Sequence, residues 1–144
     1  MSGYRFWRGP FNSEPVVDTK HAVGSALVPG VIVALSAGVW AAAGAATRGS
    51  LHLLSNRDFF GQDTTTAYAS GDTGAAIRLL PGDEVQAQMD AATYTERQEL
   101  TLSANGRLKA AASTDLVVAF YDDTTLTKTA GQLADVIWSS YYIK

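Results

Sequence analysis

The chain has no cysteine and only two histidines among its 144 residues. The missing cysteines exclude disulfides, thiolate metal sites and cysteine nucleophiles. The histidines, His21 and His52, lack the close spacing of a zinc-binding helix. Charged residues make up 17% of the chain, below the roughly 25% of an average domain. Because acid–base and nucleophilic catalysis rely on these residue types, the composition favours a binding or structural module over an enzyme.

Acidic side chains outnumber basic ones, so the formal net charge is −3. A mildly acidic chain is poorly suited to coating a phosphate backbone, so we expect no nucleic-acid partner. Residues 44–50 have the glycine spacing of a phosphate-binding loop, but no lysine precedes Ser50 to contact a nucleotide. We therefore interpret this spacing as coincidental.

No apolar run is both long and uninterrupted. The stretch between Lys20 and Arg48 is almost uncharged, but Pro29-Gly30, Gly38 and Gly44 divide it into short pieces. This pattern argues against a membrane-spanning helix, which needs about 20 mostly apolar residues. The first residues mix acids and bases without the apolar region of a secretory signal. We expect a protein made in the cytoplasm of its host cell, with no membrane partner.

Short apolar runs separated by turn residues recur from residue 25 to the end of the chain. Several alternate apolar and polar residues, which is typical of strands, and the dipeptide Asn105-Gly106 favours a tight hairpin turn. The pattern predicts a mainly β, small single-domain barrel or sandwich. The predicted strands are residues 31–35, 39–43, 50–55, 74–80, 84–89, 100–103, 107–110, 116–121 and 133–143, and residues 37–46 and 89–97 could each hold a short helix.

Residues 1–24 show no regular alternation of apolar and polar residues. They are predicted to form an extended N-terminal arm ahead of a β domain at residues 25–144. Aromatic side chains in an aperiodic segment have no regular face with which to enter the chain's own core, so we expect them to dock on a partner. Aromatics and arginines are also the favoured residues of interface hot spots. The alternative is that the arm folds back on its own domain. The predicted partner-binding residues are Tyr4, Arg5, Phe6, Trp7, Arg8 and Phe11.

Six aspartates stand in turn-like contexts: Asp58, Asp63, Asp72, Asp83, Asp122 and Asp123. Two carboxylates at a suitable separation could serve a glycosidase, and several could hold calcium with backbone oxygens. Aspartate is also a preferred turn residue, because its side chain accepts hydrogen bonds from the backbone that follows. We predict this structural role, and no metal site, while an irregular calcium site stays open.

Four turn motifs follow one another in the chain: Pro29-Gly30, residues 56–63, residues 68–73 and residues 81–83. Their sequences contain Asn-Arg followed by Gly-Gln-Asp, then Tyr followed by Gly-Asp-Thr, then Pro-Gly-Asp. In order and context they resemble the decoration, or capsid-cementing, proteins of tailed bacteriophages. The resemblance extends over roughly residues 27–138 and leaves the first twenty-odd residues unanchored.

The resemblance implies a compact, barrel-like β domain on the outer surface of an icosahedral virion, often as a homotrimer that bridges neighbouring capsomers. It implies the major capsid protein and further copies of this chain as partners, without a cofactor or enzymatic activity. Two alternatives stay open. One is a carbohydrate-binding β module, such as that of a tail fibre, with Trp40, Tyr68 or Trp138 as a sugar-stacking face; the other is a carboxylate-dependent hydrolase.

Overall fold

The computed structural model describes residues 6–10, 12–47, 49–57 and 60–144. Strands and isolated bridges hold 44% of the described residues, about twice the share in an average globular protein, and no α-helix occurs in these ranges. The predicted mainly β class is therefore confirmed. The strands are β1 (Trp7–Gly9), β2 (Val17–Asp18), β3 (Ile32–Ser36), β4 (Val39–Ala42), β5 (His52–Ser55), β6 (Ala75–Arg78), β7 (Glu84–Gln88), β8 (Ala92–Thr93), β9 (Glu99–Leu102), β10 (Leu108–Ala110), β11 (Leu116–Tyr121), β12 (Thr127–Lys128) and β13 (Leu133–Ile143).

These strands form three antiparallel sheets. The six-stranded sheet has the order β1-β7-β13-β11-β9-β10, and the five-stranded sheet has the order β2-β6-β5-β3-β4. Strands β12 and β8 make a separate two-stranded sheet. Each of the two larger sheets ends in two edge strands, so the described strands close no barrel.

The main hydrophobic core takes side chains from both larger sheets. Ile32, Leu53 and Ile77 enter it from the five-stranded sheet, while Val85 and Val136 enter it from the six-stranded sheet. All five are fully buried. Burying an aliphatic side chain of this size contributes roughly 1.5–3 kcal/mol, so this shared cluster is the main source of stability.

A second, smaller cluster covers the opposite face of the five-stranded sheet. Successive side chains of a strand point to opposite faces, so Leu54 joins this cluster while its neighbour Leu53 joins the main core. Trp40 of β4 lies at its centre and is fully buried. Val23 and Tyr68, which belong to connecting segments, cover it from outside. The five-stranded sheet is thus buried on both faces, which explains why its strands are nearly continuous in apolar residues.

The sequence predicted the longer strands and the Asn105-Gly106 hairpin correctly. Leu102 of β9 pairs with Leu108 of β10, and Asn105 and Gly106 have the positive φ angles of 62° and 73° that such a turn requires. Neither of the two stretches considered for a short helix forms an α-helix. Residues 37–46 contain strand β4, which pairs with β3, and residues 89–97 contain strand β8. Cross-strand pairing outweighs the helix propensity of alanine at these two sites.

The described part of the N-terminal segment folds back on the domain. Strand β1 pairs with β7 at the edge of the six-stranded sheet, and β2 pairs with β6 at the edge of the five-stranded sheet. Phe6 is only 1% exposed and belongs to the main core. The division into an arm and a domain at residue 24 stays a prediction. The predicted partner-binding residues Tyr4, Arg5 and Phe11 lie outside the described ranges.

Candidate interaction surfaces

Two of the predicted partner-binding residues lie on the protein surface. Trp7 is half-buried in β1, and Arg8 is exposed beside it. The Nε atom of Arg8 is 3.5 Å from an oxygen of Asp135 on β13. Phe6 is not available to a partner in this arrangement, because its ring is buried in the chain's own core. We call the area around Trp7 and Arg8 the N-terminal surface.

A cleft of about 220 Å³ lies beside Trp7 on this surface. Its walls include Val16 and Leu80, which are 52% and 46% exposed. Burial raises the pKa of Asp83, whose carboxylate accepts a hydrogen bond from the backbone N–H of Leu80 at 2.9 Å. The remaining lining residues are Pro10, Ser13, Glu14, Pro15 and Arg78. Exposed apolar side chains bordered by charges have the composition of a protein-binding surface.

The second surface is built around Arg57, which brings two of the turn motifs together. Its Nη2 atom is 3.1 Å from the Oδ2 atom of Asp72, and its guanidinium lies over the ring of Tyr68 with 4.9 Å between Cζ and the ring centroid. The same carboxylate oxygen accepts a hydrogen bond from the backbone N–H of Ala69 at 3.0 Å. We call Asn56, Arg57, Gln62, Tyr68 and Asp72 the Arg57 cluster.

Amide side chains connect the two sides of the loop that contains Arg57. The side chain of Asn56 donates to the carbonyl of Gln62 at 2.8 Å, and the side-chain oxygen of Gln62 accepts from the backbone N–H of Arg57 at 2.9 Å. The amide nitrogen of Gln62 donates to the carbonyl of Thr66 at 2.9 Å. Asn56, Arg57 and Gln62 therefore hold the two sides of the loop together through these hydrogen bonds.

Tyr68 anchors this loop to the five-stranded sheet. Its hydroxyl donates to the carbonyl of Ser55 on β5 and accepts from the backbone N–H of Ala75 on β6, the latter at 3.2 Å. Burial raises the pKa of the Tyr68 phenol, so the hydroxyl stays protonated at physiological pH. The tyrosine thus makes the polar contacts that a buried hydroxyl requires.

Phe60 stands on the outside of the Arg57 cluster. Its side chain is 70% exposed, the largest value among the exposed apolar residues of the described ranges. The Cζ atom of Arg57 is 5.3 Å from the Phe60 ring centroid. The loop therefore presents an aromatic side chain to the solvent while a guanidinium held by Asp72 supports it.

The turn aspartates have the structural role predicted for them. Asp63 accepts hydrogen bonds from Thr66 and Thr65, which lower its pKa to about 2. Asp72 holds Arg57 as described above, and Asp122 lies 3.4 Å from Arg97.

Asp123 combines an ion pair with backbone contacts. Burial acts to raise its pKa, but hydrogen bonds from Thr125, Asp135 and Lys128 outweigh burial and lower it. The side chain of Lys128 is almost completely buried, and its Nζ atom is 3.2 Å from Asp123. Asp58 lies outside the described ranges. Among the residues that the structure describes, no three potential metal-ligating side chains come together.

The aromatic residues considered for a sugar-stacking face are in the interior. Trp40, Tyr68 and Trp138 are each at most 1% exposed, so none can stack on a carbohydrate. The prediction of a stacking face from these residues is wrong. These three rings pack inside the two hydrophobic clusters, where each removes a large apolar area from water.

Both histidines contact Trp40. The ring centroids of His52 and Trp40 are 4.8 Å apart, and those of His21 and Trp40 are 5.8 Å apart. The Nδ1 atom of His21 also lies 3.1 Å from Asp18. Burial lowers the pKa of His52. Both histidines therefore lie against the central tryptophan of the second cluster.

No helix within the described ranges is long and apolar enough to cross a membrane. The chain matches no protein-family model, and a comparison with curated proteins finds no significant match.

The sequence located the Arg57 motif but did not assign its residues a role. Arg57 and Asp72 are fifteen positions apart, and their pairing depends on how the chain between them folds against the sheet. The Asn-Arg and Gly-Asp dipeptides of the two turn motifs are the sequence features that contain the two residues of this contact.

Proposed function

We propose that the protein decorates the capsid of a tailed bacteriophage, binding the major capsid protein on the outer surface of the shell and stabilising it by bridging neighbouring capsomers. The observation that carries this proposal is the convergence of the two central motifs of the resemblance at Arg57. Their side chains bind one another and support a surface loop. This arrangement suits a structural protein whose function depends on the shape of its surface.

The finer architecture in this proposal is an open β-sandwich, because the main core takes side chains from both larger sheets. The protein acts as a homotrimer in the virion, at a local three-fold axis of the shell. Three linked copies raise the effective concentration of each later contact, so modest single contacts add up to firm attachment.

The N-terminal surface is the proposed contact with the capsid. Trp7 and Arg8 are of the residue types enriched at hot spots, and Val16 and Leu80 extend the apolar area next to them. Tyr4, Arg5 and Phe11 remain proposed members of this contact. Phe6 supports the contact from within the core.

The test is co-sedimentation of the purified chain with undecorated shells assembled from the major capsid protein of the phage that encodes it. We expect saturable binding with a fixed number of copies per shell. The double substitution Trp7→Ala and Arg8→Ala should weaken the affinity for the shells at least about tenfold, since truncated hot-spot residues each cost roughly 2 kcal/mol or more. A chain that remains in the supernatant at all concentrations would contradict the proposal.

The matched control is Lys109→Ala. Lys109 is exposed on β10, at the edge of the six-stranded sheet opposite to β1. It should leave occupancy unchanged. Equal losses for both variants would exclude the N-terminal surface as the contact, and thermal melting of each variant shows whether the fold is intact.

A further inference from the structure

A cleft of about 340 Å³ opens between the segment at residues 25–28 and the β9–β10 hairpin. Its volume is in the range of small-molecule sites, which measure roughly 300–1,000 Å³. Arg107 is the only charged residue among those that line it. The other lining residues are Ser25, Ala26, Leu27, Val28, Val31, Ala42, Gln88 and Asn105.

The guanidinium of Arg107 has no ionic or hydrogen-bonding partner in the part of the chain that the structure describes. Its Nε atom is buried and unpaired, whereas five other cationic side chains (Arg8, Arg57, Arg97, Lys128 and Lys144) lie within 4 Å of a carboxylate. A buried donor that lacks a partner costs roughly 1–3 kcal/mol, and more when it is charged. An anion bound in the cleft would give the guanidinium the ionic partner that it lacks.

A buried amide lies next to the guanidinium. Gln88 is 6% exposed, and its Nε2 atom donates to the carbonyl of Pro29 at 3.0 Å. A Cβ atom placed on Gly131 would be 3.4 Å from Nη2 of Arg107 and 3.5 Å from Oε1 of Gln88, so both polar groups lie close to this glycine. The backbone at Gly131 therefore limits the positions open to the guanidinium.

The remaining wall is apolar. Leu27, Val28, Val31 and Ala42 line it, and Val28 is 39% exposed. A ligand for this cleft needs a negative charge for Arg107 and a short apolar part for the wall. The planar guanidinium matches the two oxygens of a carboxylate, with which it forms paired charge-assisted hydrogen bonds.

We infer that this cleft binds a carboxylate carried on a short apolar group, as in the C-terminal residue of a peptide or a small apolar acid, with Arg107 as the anion-binding residue. The inference does not depend on the proposed function. The carboxylate lies on the guanidinium, and the apolar group contacts Leu27 and Val28.

The test is titration of the ¹⁵N-labelled full chain with N-acetyl-leucine, followed by amide chemical shifts. We expect saturable shifts at Leu27, Val28 and Arg107. N-acetyl-leucinamide, which lacks the negative charge, should bind at least about tenfold more weakly, because a hydrogen bond to a charged group contributes roughly 1.5–3 kcal/mol. Equal shifts with the amide, or no saturation with the acid, would overturn the inference. The inference would also be overturned if inorganic phosphate bound and the acid did not.

Two variants complete the test. Arg107→Gln should reduce affinity for the acid at least about tenfold, whereas Lys109→Gln, which removes a nearby exposed charge outside the cleft, should leave it unchanged. Equal reductions would show a general charge effect and contradict the site. If Arg107→Gln lowers the melting temperature, Arg107→Lys provides the second comparison: it keeps the charge without the planar fork and should still weaken binding.

A comparison of two ligands distinguishes the sources of the carboxylate. Tighter binding of acetyl-Ala-Ala-Leu than of N-acetyl-leucine would identify a peptide end as the ligand, and equal affinity would identify a small acid.

Discussion

The guanidinium of Arg57 lies over the ring of Tyr68, with 4.9 Å between Cζ and the ring centroid. This contact joins a surface loop to a tyrosine whose hydroxyl is bonded to two strands of the five-stranded sheet. The loop is therefore held by the fold beneath it, and Phe60 on its outside has a defined support.

Arg57→Gln should lower the free energy of unfolding by about 0.5–3 kcal/mol. The substitution removes a cation–π contact and a partly exposed ion pair, which contribute roughly 0.5–2 and 0–1 kcal/mol. Urea denaturation measures the difference. Arg97→Gln is the control, because Arg97 is 68% exposed and pairs with Asp122 at 3.4 Å. It should cost less than about 0.5 kcal/mol. Equal losses would contradict the anchoring role of Arg57.

Stability should fall on mild acidification because of His52. Burial lowers its pKa below the ordinary value of 6.5. The unfolded chain then binds a proton at a pH at which the folded chain does not, so the free energy of unfolding decreases as the pH falls below 6.5 and levels off below the folded-state pKa. The charges that face His52 include Arg78 and His21, which lower its pKa further, and Asp18, which opposes them.

The measurement is the melting temperature between pH 7.5 and about 5, a range that ends above the ordinary pKa of carboxylates. His52→Gln should flatten the pH dependence of the melting temperature, since glutamine does not titrate. A variant that keeps the slope of the parent chain would show that another group is responsible.

Gly106→Ala should destabilise the protein more than Gly38→Ala does. Both glycines have positive φ, 73° and 81°, so each substitution costs roughly 1–2 kcal/mol in backbone strain. A Cβ atom on Gly106 would also be 2.5 Å from the carbonyl oxygen of Ile32, whereas nothing lies within 4 Å of one on Gly38. We expect a difference of at least about 1 kcal/mol in urea denaturation. Equal effects would mean that the hairpin moves away from β3 without cost.

Phe6→Ala should lower the free energy of unfolding by about 3–5 kcal/mol, as truncation of a buried phenylalanine usually does. Arg8→Ala, two positions further along, should cost less than about 0.5 kcal/mol because Arg8 is exposed. Thermal melting distinguishes them. An unchanged melting temperature for Phe6→Ala would mean that the N-terminal segment leaves the domain in solution, as the extended-arm prediction has it.

Local sequence was sufficient for the strands because their signals are short in range. Alternation over residues 84–89 and the Asn105-Gly106 dipeptide act within a few residues, and both predicted the observed structure. The turn aspartates were predictable for the same reason, since Asp63 accepts hydrogen bonds from residues two and three positions away.

Contacts between distant segments were not predictable in this way. Phe6 enters the main core only because β1 reaches the edge strand β7, a pairing that no local period encodes. Arg57 and Asp72, and likewise Gln88 and Arg107, become neighbours through the sheet order. Trp40 could have faced the solvent on an alternating strand, but the segments containing Val23 and Tyr68 cover that face and bury it. Composition and turn chemistry thus determine that this chain forms short antiparallel strands, whereas the burial of each aromatic and the partner of each charge depend on packing between segments far apart in the chain.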